Sequence, residues 1–436
     1  MSFKPIQRLN VARTLSTGES INVGVLAQNS QGVFFQYDAG YLQRYGNLSP
    51  FSLEATTLLQ LAPKEPHSGL HGIFADSIPD GWGLLLQDRV FRQHGVLPSQ
   101  ITAMDRLAFV GLCGMGALNY TPQYEYHKTT GDMFDLATIG VEAQAFFDGQ
   151  TQDVLDALVA AGSSGGARPK AQLFFSHNSY KQCRTKHQKG DEAWLVKFTS
   201  QNLPLGHEEG VCEAVCLRLA EIADLQPVQW KLLEAPKKSG ADSWLALKRF
   251  DWVDTPNRPG RMHMHSACGL LDADFRTPSL DYQDLIKASR QLCKSPAVGQ
   301  LQFCRAIFNL FICNQDDHSK NWAFLQSDDG QWQPAPFYDV TFSPHPFNEH
   351  ATAFIGYGRQ PTVEVIQKLA VNAGFSNWKQ AQQKVHEIVE VVACFSDIAR
   401  DYGVAEKTVT AIEKELEKRR QENRSLWNSD VNILKK

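Results

Sequence analysis

The stretch FCRAIFNLFICNQDDHSKNWAFL, Phe303 to Leu325, decides what fold this chain is expected to adopt. Its first half is apolar, and Ile307, Leu310 and Phe311 keep three- and four-residue spacing, which predicts a buried helix. A very polar segment, residues 315–321, follows the helix, and an apolar strand-like run then begins. The pattern predicts a loop of charged and polar side chains between a core helix and a strand.

Two side chains of this loop, Asp316 and Asn321, are five residues apart. Phosphotransferases of the protein-kinase type use the same Asp-x-x-x-x-Asn offset. In that chemistry the carboxylate accepts or orients the proton of the attacking hydroxyl. The amide oxygen holds Mg²⁺, which prefers hard oxygen ligands. The spacing therefore indicates a catalytic Asp316 and a metal-binding Asn321.

A second metal ligand is expected at Asp339, in the strand-like run PAPFYDV. The turn-like SDDGQ joins this run to NWAFL, residues 321–325, so a hairpin is predicted. Its open end would bring Asn321 and Asp339 together. Val340 and Thr341 stand where kinases have Phe-Gly after this aspartate. A solvated turn and a helix cap are the ordinary alternatives for these segments. A His/Asp metallohydrolase is disfavoured because His318 has no second histidine at ligand spacing.

A glycine-rich loop, AGSSGGARPKAQLFF, occupies residues 161–175. It is not a Walker A loop, since Lys170 lies four residues after Gly166 and Ala171 follows it. Alone it is typical of a flexible turn. Before two strands it favours a phosphate-covering role, because glycine lets backbone N–H groups approach phosphate oxygens.

Three further segments fit a nucleotide site. Lys197, in the strand AWLVKF, is expected between phosphates, and Glu213, on a helix over 208–223, is a candidate ion-pair partner. A solvent-facing lysine and a surface glutamate are the alternatives. The strand WLALKRF, residues 244–250, would end at a hinge where backbone groups of Lys248 and Phe250 meet adenine.

The 436 residues are 43% hydrophobic, which supports two or three lobes. A strand-rich half precedes a helix-rich half, and this predicts an α+β fold. In the first half we expect a hairpin around residues 28–32, a helix after Pro79 with Asp80 as its cap, and a strand ending at Tyr120–Pro122.

The net charge of −4 gives no global basic field for nucleic acid. Nine cysteines without a C-x-x-C pair suit a reducing compartment. The N-terminus lacks the apolar core of a signal peptide, and no run of about 18 apolar residues predicts a membrane span. A cytoplasmic location without membrane partners is expected.

Together these segments resemble the HipA family of kinases, the toxins of HipBA-type toxin–antitoxin pairs. The likeness is carried by DSIPDGWGLLLQDR, GLCGMGALNY, SSGGARPKA, CNQDDHSKN and APFYDV. It implies a protein-kinase-like, two-lobed α+β fold with an extra β-rich N-terminal subdomain and an all-helical C-lobe. The implied parts are 1–125 (the N-terminal subdomain), 126–252 (the small lobe) and 253–436 (the mainly helical C-lobe).

The resemblance also implies Mg²⁺ and ATP as cofactors, Asp316 as catalytic base, and Asn321 and Asp339 as Mg²⁺ ligands. Ser163 would be the autophosphorylated serine that switches the enzyme off, although Ser164 leaves that site ambiguous. The implied nucleotide-contacting residues are Gly165, Gly166, Ala167, Arg168, Lys170, Lys197, Lys248, Arg249, Phe250, His318, Lys320, Asn321, Tyr338 and Asp339. Two departures from the family pattern are Lys248 at the hinge and the pair Arg168-Pro169 in the loop.

Implied partners are a HipB-like helix-turn-helix antitoxin, operator DNA through that antitoxin, and a protein substrate of the aminoacyl-tRNA synthetase class. Two other functions stay open. One is a corepressor with little kinase activity, although the intact set of Asp316, Asn321 and Asp339 argues against a dead kinase. The other is a small-molecule kinase, which would share the Asp-x-x-x-x-Asn logic.

Overall fold

The computed structural model describes residues 3–124, 126, 132–151, 156–162, 165–177, 179–255 and 258–428. The described strands are β1 (Arg8–Thr14), β2 (Ser20–Asn29), β3 (Gly32–Tyr37), β4 (Gln60–Leu61), β5 (Leu118–Thr121), β6 (Phe134–Asp135), β7 (Lys170–Ser176), β8 (Gln182–Cys183), β9 (Asp191–Lys197), β10 (Trp230–Glu234), β11 (Ser243–Lys248), β12 (Trp252–Val253), β13 (Gly260–Arg261), β14 (His263–Ser266), β15 (Leu280–Asp281), β16 (Ala323–Gln326), β17 (Trp332–Pro334) and β18 (Thr352–Ala353). The described α-helices are α1 (Ala39–Tyr45), α2 (Gly72–Ala75), α3 (Gly81–Gln93), α4 (Ala103–Val110), α5 (Leu136–Phe147), α6 (Asp156–Ala160), α7 (Glu209–Ile222), α8 (Ala267–Leu270), α9 (Tyr282–Cys293), α10 (Pro296–Ile312), α11 (Val363–Ala373), α12 (Trp378–Ala393), α13 (Phe395–Asp401), α14 (Glu406–Glu422) and α15 (Arg424–Trp427).

The chain divides into two compact units. The N-terminal unit comprises Met1–Gly210, Lys231–Asp272 and Phe324–Gln331, and the C-terminal unit comprises Val211–Trp230, Ala273–Ala323 and Trp332–Lys436. The three-part division at residues 125 and 252 stays a prediction.

The N-terminal unit begins with a five-stranded antiparallel sheet in the order β4-β3-β2-β1-β5. Alternate residues of β1, among them Leu9 and Val11, are buried in one core cluster, as expected of a strand with one face inward. In β2 and β3, Asn29 lies opposite Gly32, which leaves a two-residue turn and confirms the predicted hairpin. The strand ending at Thr121 is confirmed as β5.

A second sheet of this unit has the order β10-β11-β9-β7 and contains the three strands predicted around the glycine-rich loop. Its core contains Trp82, Trp194, Phe198 and Trp244. Each such buried aromatic stabilises the fold by about 1.5–3 kcal/mol relative to an exposed one. This packing fixes β7 and β9, on which the predicted phosphate-site lysines lie.

A hydrogen-bonded Ser–His–Asp series also lies inside the N-terminal unit. Ser49 Oγ is 2.8 Å from His265 Nε2, and His265 Nδ1 is 2.6 Å from Asp76 Oδ2. Both Ser49 and His265 are 0% exposed. A substrate cannot reach the Ser49 hydroxyl, so this series is not a nucleophilic site. Its hydrogen bonds instead join three segments of the core.

The C-terminal unit is built around α10, which packs against α9, α11, α12 and α14. Pro296 starts the helix, where its missing N–H has no intrahelical partner to lose, and every residue from Gln302 to Ile312 is buried. The predicted helix is therefore confirmed. The unit also contains a short parallel pair, β15 with β18, so it is mainly rather than entirely helical. Among the described helices, none combines the length and apolar sequence that a membrane crossing requires.

The predicted hairpin differs from expectation in its second strand. The Ala335 N–H bonds the Ala323 carbonyl over 2.8 Å, but β17 ends at Pro334. Beyond it, Phe337 donates to the Gln226 carbonyl instead, over 2.9 Å. Pro334 and Pro336 lack N–H donors and cannot continue a ladder. The prediction that Asp339 ends a strand is therefore wrong, and Asp339 lies in a loop.

Lowering the pH should destabilise the fold through buried histidines. Burial lowers the pKa of His71 to about 4 and that of His263 well below its ordinary value. In the unfolded chain a histidine binds its proton near pH 6.5. Below that pH proton uptake therefore stabilises the unfolded state relative to the folded state, in which these histidines stay neutral. We expect the free energy of unfolding to fall by up to about 1.4 kcal/mol per histidine for each pH unit below about 6.5. Urea unfolding at pH 7.5 and 5.5 measures this, and constant or rising stability at pH 5.5 contradicts it.

Candidate active site

The predicted catalytic loop starts where α10 ends. Cys313 adopts a left-handed conformation with φ of 57°, which stops the helix and turns the chain. Three residues later the Asp316 side chain is 61% exposed, with its Oδ1 3.8 Å from His318 Nε2. Asn321 Nδ2 donates to the Asp316 backbone carbonyl over 2.8 Å. The loop therefore folds back on itself and brings the two residues of the predicted Asp-x-x-x-x-Asn pair together.

Asp317 organises this loop from inside the C-terminal unit. Its carboxylate accepts the Tyr282 hydroxyl and the Thr352 N–H, the latter over 3.1 Å, and His350 Nδ1 lies 2.8 Å away. Its backbone carbonyl accepts bonds from Thr352 Oγ1 and Trp322 Nε1, over 2.5 and 3.2 Å. Burial and then the charge of Asp317 raise the pKa of Tyr282 well above its ordinary value, so Tyr282 keeps its proton. These partners hold the loop from α9 and β18.

The predicted metal segment is joined to the same loop by side-chain hydrogen bonds. Asn314 Nδ2 donates to the Asp339 carbonyl over 3.2 Å and to Asn309 Oδ1 over 3.1 Å. The Tyr338 hydroxyl donates to the Lys320 carbonyl over 2.7 Å. Asp339 has a φ of 51°, in the left-handed region that aspartate adopts more readily than most other non-glycine residues. The catalytic and metal segments are therefore neighbours within one unit.

Arg305 supports the metal segment from α10. Its guanidinium donates to the carbonyls of Leu225, Gln226 and Ala335 and lies 5.2 Å from the centre of the Phe337 ring. Burial lowers its pKa to about 9. This arginine fixes the chain that leads into the predicted metal ligand.

The loop side chains His318 and Lys320 flank an aromatic ring. Lys320 Nζ lies 4.1 Å from the centre of the Phe275 ring, and the His318 ring lies 5.9 Å from it. Arg276 approaches the same ring at 4.6 Å. Cation–π contacts of this kind restrict the flexible Lys320 side chain close to Asp316, the predicted catalytic residue.

In the N-terminal unit the glycine-rich loop packs on the start of α3. The Gly166 N–H donates to the Asp80 carboxylate, and the Gly166 carbonyl accepts the Trp82 N–H over 3.0 Å. Lys170 Nζ donates to the Gly165 carbonyl over 2.7 Å, and the Lys170 carbonyl accepts from Trp82 Nε1 over 2.8 Å. The predicted helix after Pro79 is confirmed, but the Asp80 side chain contacts this loop instead of capping the described first turn of the helix.

Arg168 and Pro169, the two loop residues that differ from the family pattern, both have bonding partners nearby. The Arg168 guanidinium pairs with Glu209, and the Pro169 carbonyl accepts the Phe198 N–H over 2.9 Å. Ala167 is exposed. The predicted phosphorylation site Ser163 and its neighbour, residue 164, lie outside the described residues.

The two predicted phosphate-site lysines are cross-strand neighbours. Lys170 on β7 lies opposite Lys197 on β9, and the residues are only 4% and 5% exposed. Like charges opposite each other destabilise a sheet unless nearby groups compensate them, and a role of these lysines in phosphate binding stays a prediction. Glu213 is 1% exposed. These exposures exclude the solvent-facing alternatives for Lys197 and Glu213.

The predicted hinge residues lie at the end of β11 and just after it. Lys248 Nζ pairs with Glu192 over 3.2 Å, and the Arg249 guanidinium forms a buried pair with Asp251. Burial raises the pKa of Asp251, but the charge of Arg249 holds it below its ordinary value. Phe250 is half-buried. The Arg249 side chain thus has a structural role, and adenine contacts by this segment stay a prediction.

Sequence reasoning missed the supporting roles of Asp317, Arg305 and Asp80. A lone charge inside an apolar helical run was the signal for Arg305. Adjacent side chains of an extended segment tend to point to opposite sides, so the pair Asp316-Asp317 was the signal that one of the two carboxylates faces inward. Within the described residues, no group of three or more His, Cys, Asp or Glu side chains is placed to hold a metal. A kinase-type site needs fewer, because Mg²⁺ takes one or two protein ligands together with phosphates and waters. The carboxylate and amide oxygens of Asp339 and Asn321 fit that need.

The same substitution should destabilise the protein far more at the buried aspartate, Asp317, than at the exposed one, Asp316. Asp317→Asn leaves buried donors facing an amide and should reduce the free energy of unfolding by about 3 kcal/mol or more. Asp316→Asn, the matched change one residue earlier, should alter it by less than about 0.5 kcal/mol. Urea unfolding of the two variants compares them, and equal effects would contradict the assigned positions.

Comparison with known proteins agrees with this geometry. The family model described as HipA-like C-terminal domain matches residues 162–400, and that of the HipA N-terminal domain matches residues 18–121. A putative kinase, Y4mE of Sinorhizobium fredii, is 29% identical over 137 residues, which are 29% of this chain and 31% of the relative. The serine/threonine-protein kinase toxin HipA of Shewanella oneidensis is 24% identical over 197 residues, 41% of this chain and 42% of the relative. Both matches thus span less than half of the relatives' lengths.

A solved structure shows the same fold over nearly the whole chain. It is the complex of HipA, HipB and operator DNA from Shewanella oneidensis, with a TM-score of 0.66 and 15% identity, covering 95% of this chain and 96% of that one. The fold is therefore α+β and protein-kinase-like. Because the C-terminal family model alone matches more than half of the residues, the chain belongs to the HipA family.

Proposed function

We propose that this chain is a Mg²⁺- and ATP-dependent serine/threonine protein kinase and the toxin of a HipBA-like pair. The observation that carries the proposal is the loop in which exposed Asp316 follows a core helix and is hydrogen-bonded to Asn321. The hydrogen bond from the Tyr338 hydroxyl to the Lys320 carbonyl joins the segment that contains Asp339, the predicted metal ligand, to this loop. Membership of the HipA family supports the same chemistry.

Each residue has a distinct role in the proposed reaction. Asp316 accepts or orients the proton of the attacking serine or threonine hydroxyl, and its exposure leaves room for a substrate. In that reaction Asn321 and Asp339 would hold Mg²⁺, which neutralises phosphate charge when bound. The glycine-rich loop, Lys170 and Lys197 would bind nucleotide phosphates. The protein contributes positioning and charge, as phosphoryl transfer requires.

The proposed partners follow from the structural neighbour. That solved structure contains a HipB antitoxin and its operator DNA, and its fold covers nearly the whole chain. We extend this partner class to the chain: a HipB-like protein would bind it and supply the DNA contacts, since the chain itself has a net charge of −4. The protein substrate is proposed to be an aminoacyl-tRNA synthetase, with autophosphorylation at Ser163 as the off-switch.

Removing the catalytic carboxylate should abolish phosphoryl transfer. We expect Asp316→Ala to lower the rate by at least about 100-fold, the usual contribution of a general base, while nucleotide binding persists. Incubating purified protein with labelled ATP and cell lysate, followed by gel and mass spectrometry, measures transfer. Asp329→Ala, at an exposed aspartate in the hairpin turn, is the control and should remain active. Label on small molecules alone favours the small-molecule kinase, and normal transfer by Asp316→Ala contradicts the proposed role.

Changing the metal ligand should have a different signature. Asp339→Asn replaces a charged carboxylate ligand with a neutral amide, so the Mg²⁺ concentration needed for half-maximal nucleotide binding should rise about tenfold or more. Calorimetric titration of a nonhydrolysable ATP analogue at several Mg²⁺ concentrations measures the shift. Asp316→Ala should show the wild-type Mg²⁺ requirement. An unchanged requirement in Asp339→Asn would remove Asp339 from the metal site.

A further inference from the structure

Asp80 stands at the N-cap position of α3 but does not act as a cap. Within the described first turn of α3, its side chain makes no capping hydrogen bond. Asp38, at the same position of α1, accepts the Tyr41 N–H over 3.0 Å, as N-cap aspartates usually do. The Asp80 carboxylate is instead turned toward the glycine-rich loop.

The contact between Asp80 and the loop is close and involves both glycines. The carboxylate accepts the Gly166 N–H. A Cβ atom on Gly165 would lie 3.1 and 3.2 Å from the two carboxylate oxygens, so they pack directly over that residue. Gly81 allows the approach, because a Cβ there would lie 2.6 Å from the Gly166 carbonyl oxygen. The start of α3 and the loop therefore require glycine at position 81, whereas a Cβ at position 165 would need the Asp80 carboxylate to shift by a few tenths of an ångström.

The groups engaged in this contact are those expected to bind phosphate. Backbone N–H groups of a glycine-rich loop are the donors that phosphate oxygens accept. Here the Gly166 N–H bonds Asp80, and Lys170 Nζ bonds the Gly165 carbonyl. A carboxylate is itself an anion with two acceptor oxygens, so it can occupy a phosphate position. The positive end of the α3 dipole further favours an anion there.

We propose that Asp80 is a latch on the glycine-rich loop. Its carboxylate occupies the Gly166 N–H that a nucleoside triphosphate would use, and ATP binding requires release of this bond. The inference rests on the proposed function, because it assigns phosphate binding to the loop. The Asp80 carboxylate and the ATP phosphate would compete for the Gly166 N–H, so Asp80 would lower the affinity for ATP.

Two variants separate the charge from the hydrogen bond. Asp80→Asn keeps an acceptor oxygen but removes the charge, whereas Asp80→Ala removes both. Asp38→Asn is the matched control, with the same charge change at an N-cap of the same unit. All variants are full-length proteins, and their unfolding midpoints are compared first, so that Asp80→Asn serves if Asp80→Ala does not fold.

The first readout needs no nucleotide. In hydrogen exchange followed by mass spectrometry, the peptide covering residues 165–170 should exchange at least several-fold faster in Asp80→Ala than in the wild type. The second is calorimetric titration with a Mg²⁺-bound nonhydrolysable ATP analogue. Asp80→Asn should bind it roughly tenfold more tightly, as expected when one repulsive charge is removed, and Asp38→Asn should bind it like the wild type.

The outcomes distinguish the latch from the proposed function. Equal or weaker nucleotide binding by Asp80→Asn, beside normal binding by the wild type, overturns the latch alone. Unchanged exchange of residues 165–170 in Asp80→Ala also overturns it. If neither the wild type nor any variant binds the nucleotide, the proposed function fails and the latch falls with it.

Discussion

The buried carboxylate of Asp317 is the interaction on which the candidate active site depends. Removing a carboxylate from water costs several kcal/mol unless donors replace the solvent. Here the donors come from the start of α9 and from β18, segments separated from the loop by about 30 residues on either side. The loop therefore has its shape only when these segments are folded around it. This is why Asp316, one residue earlier, can stand exposed at a fixed position.

Much of this arrangement could be predicted from the sequence where the signal is local. The apolar spacing before Asp316 predicted α10, the short strand-like runs after the glycine-rich loop predicted β7, β9 and β11, and the five-residue offset between Asp316 and Asn321 indicated the chemistry. The prediction that Asp339 ends a strand was wrong, because prolines end β17 and Phe337 then bonds the Gln226 carbonyl. The same residue still lies beside the loop, through Asn314. Long-range hydrogen bonds of this kind leave no periodic pattern in a sequence.

Charge placement in the N-terminal unit follows the same logic. Lys170 and Lys197 lie opposite each other on neighbouring strands, and both are buried. The two departures from the family pattern also have local explanations, since Arg168 pairs with Glu209 and Lys248 with Glu192. Neither departure requires a change in the chemistry proposed for the loop. The strand-like runs could predict where Lys170, Lys197 and Lys248 lie. They could not predict that Lys248 pairs with Glu192 or that Arg168 pairs with Glu209.

We propose that the segments around Asp316, Asn321 and Asp339 hold one metal-bound nucleotide. A crystal structure with Mg²⁺ and a nonhydrolysable ATP analogue is the decisive measurement. We expect a Mg²⁺ ion within about 2.1 Å of oxygens from both Asn321 and Asp339, with the terminal phosphate facing Asp316. A nucleotide bound elsewhere, or a metal coordinated by neither residue, would contradict it.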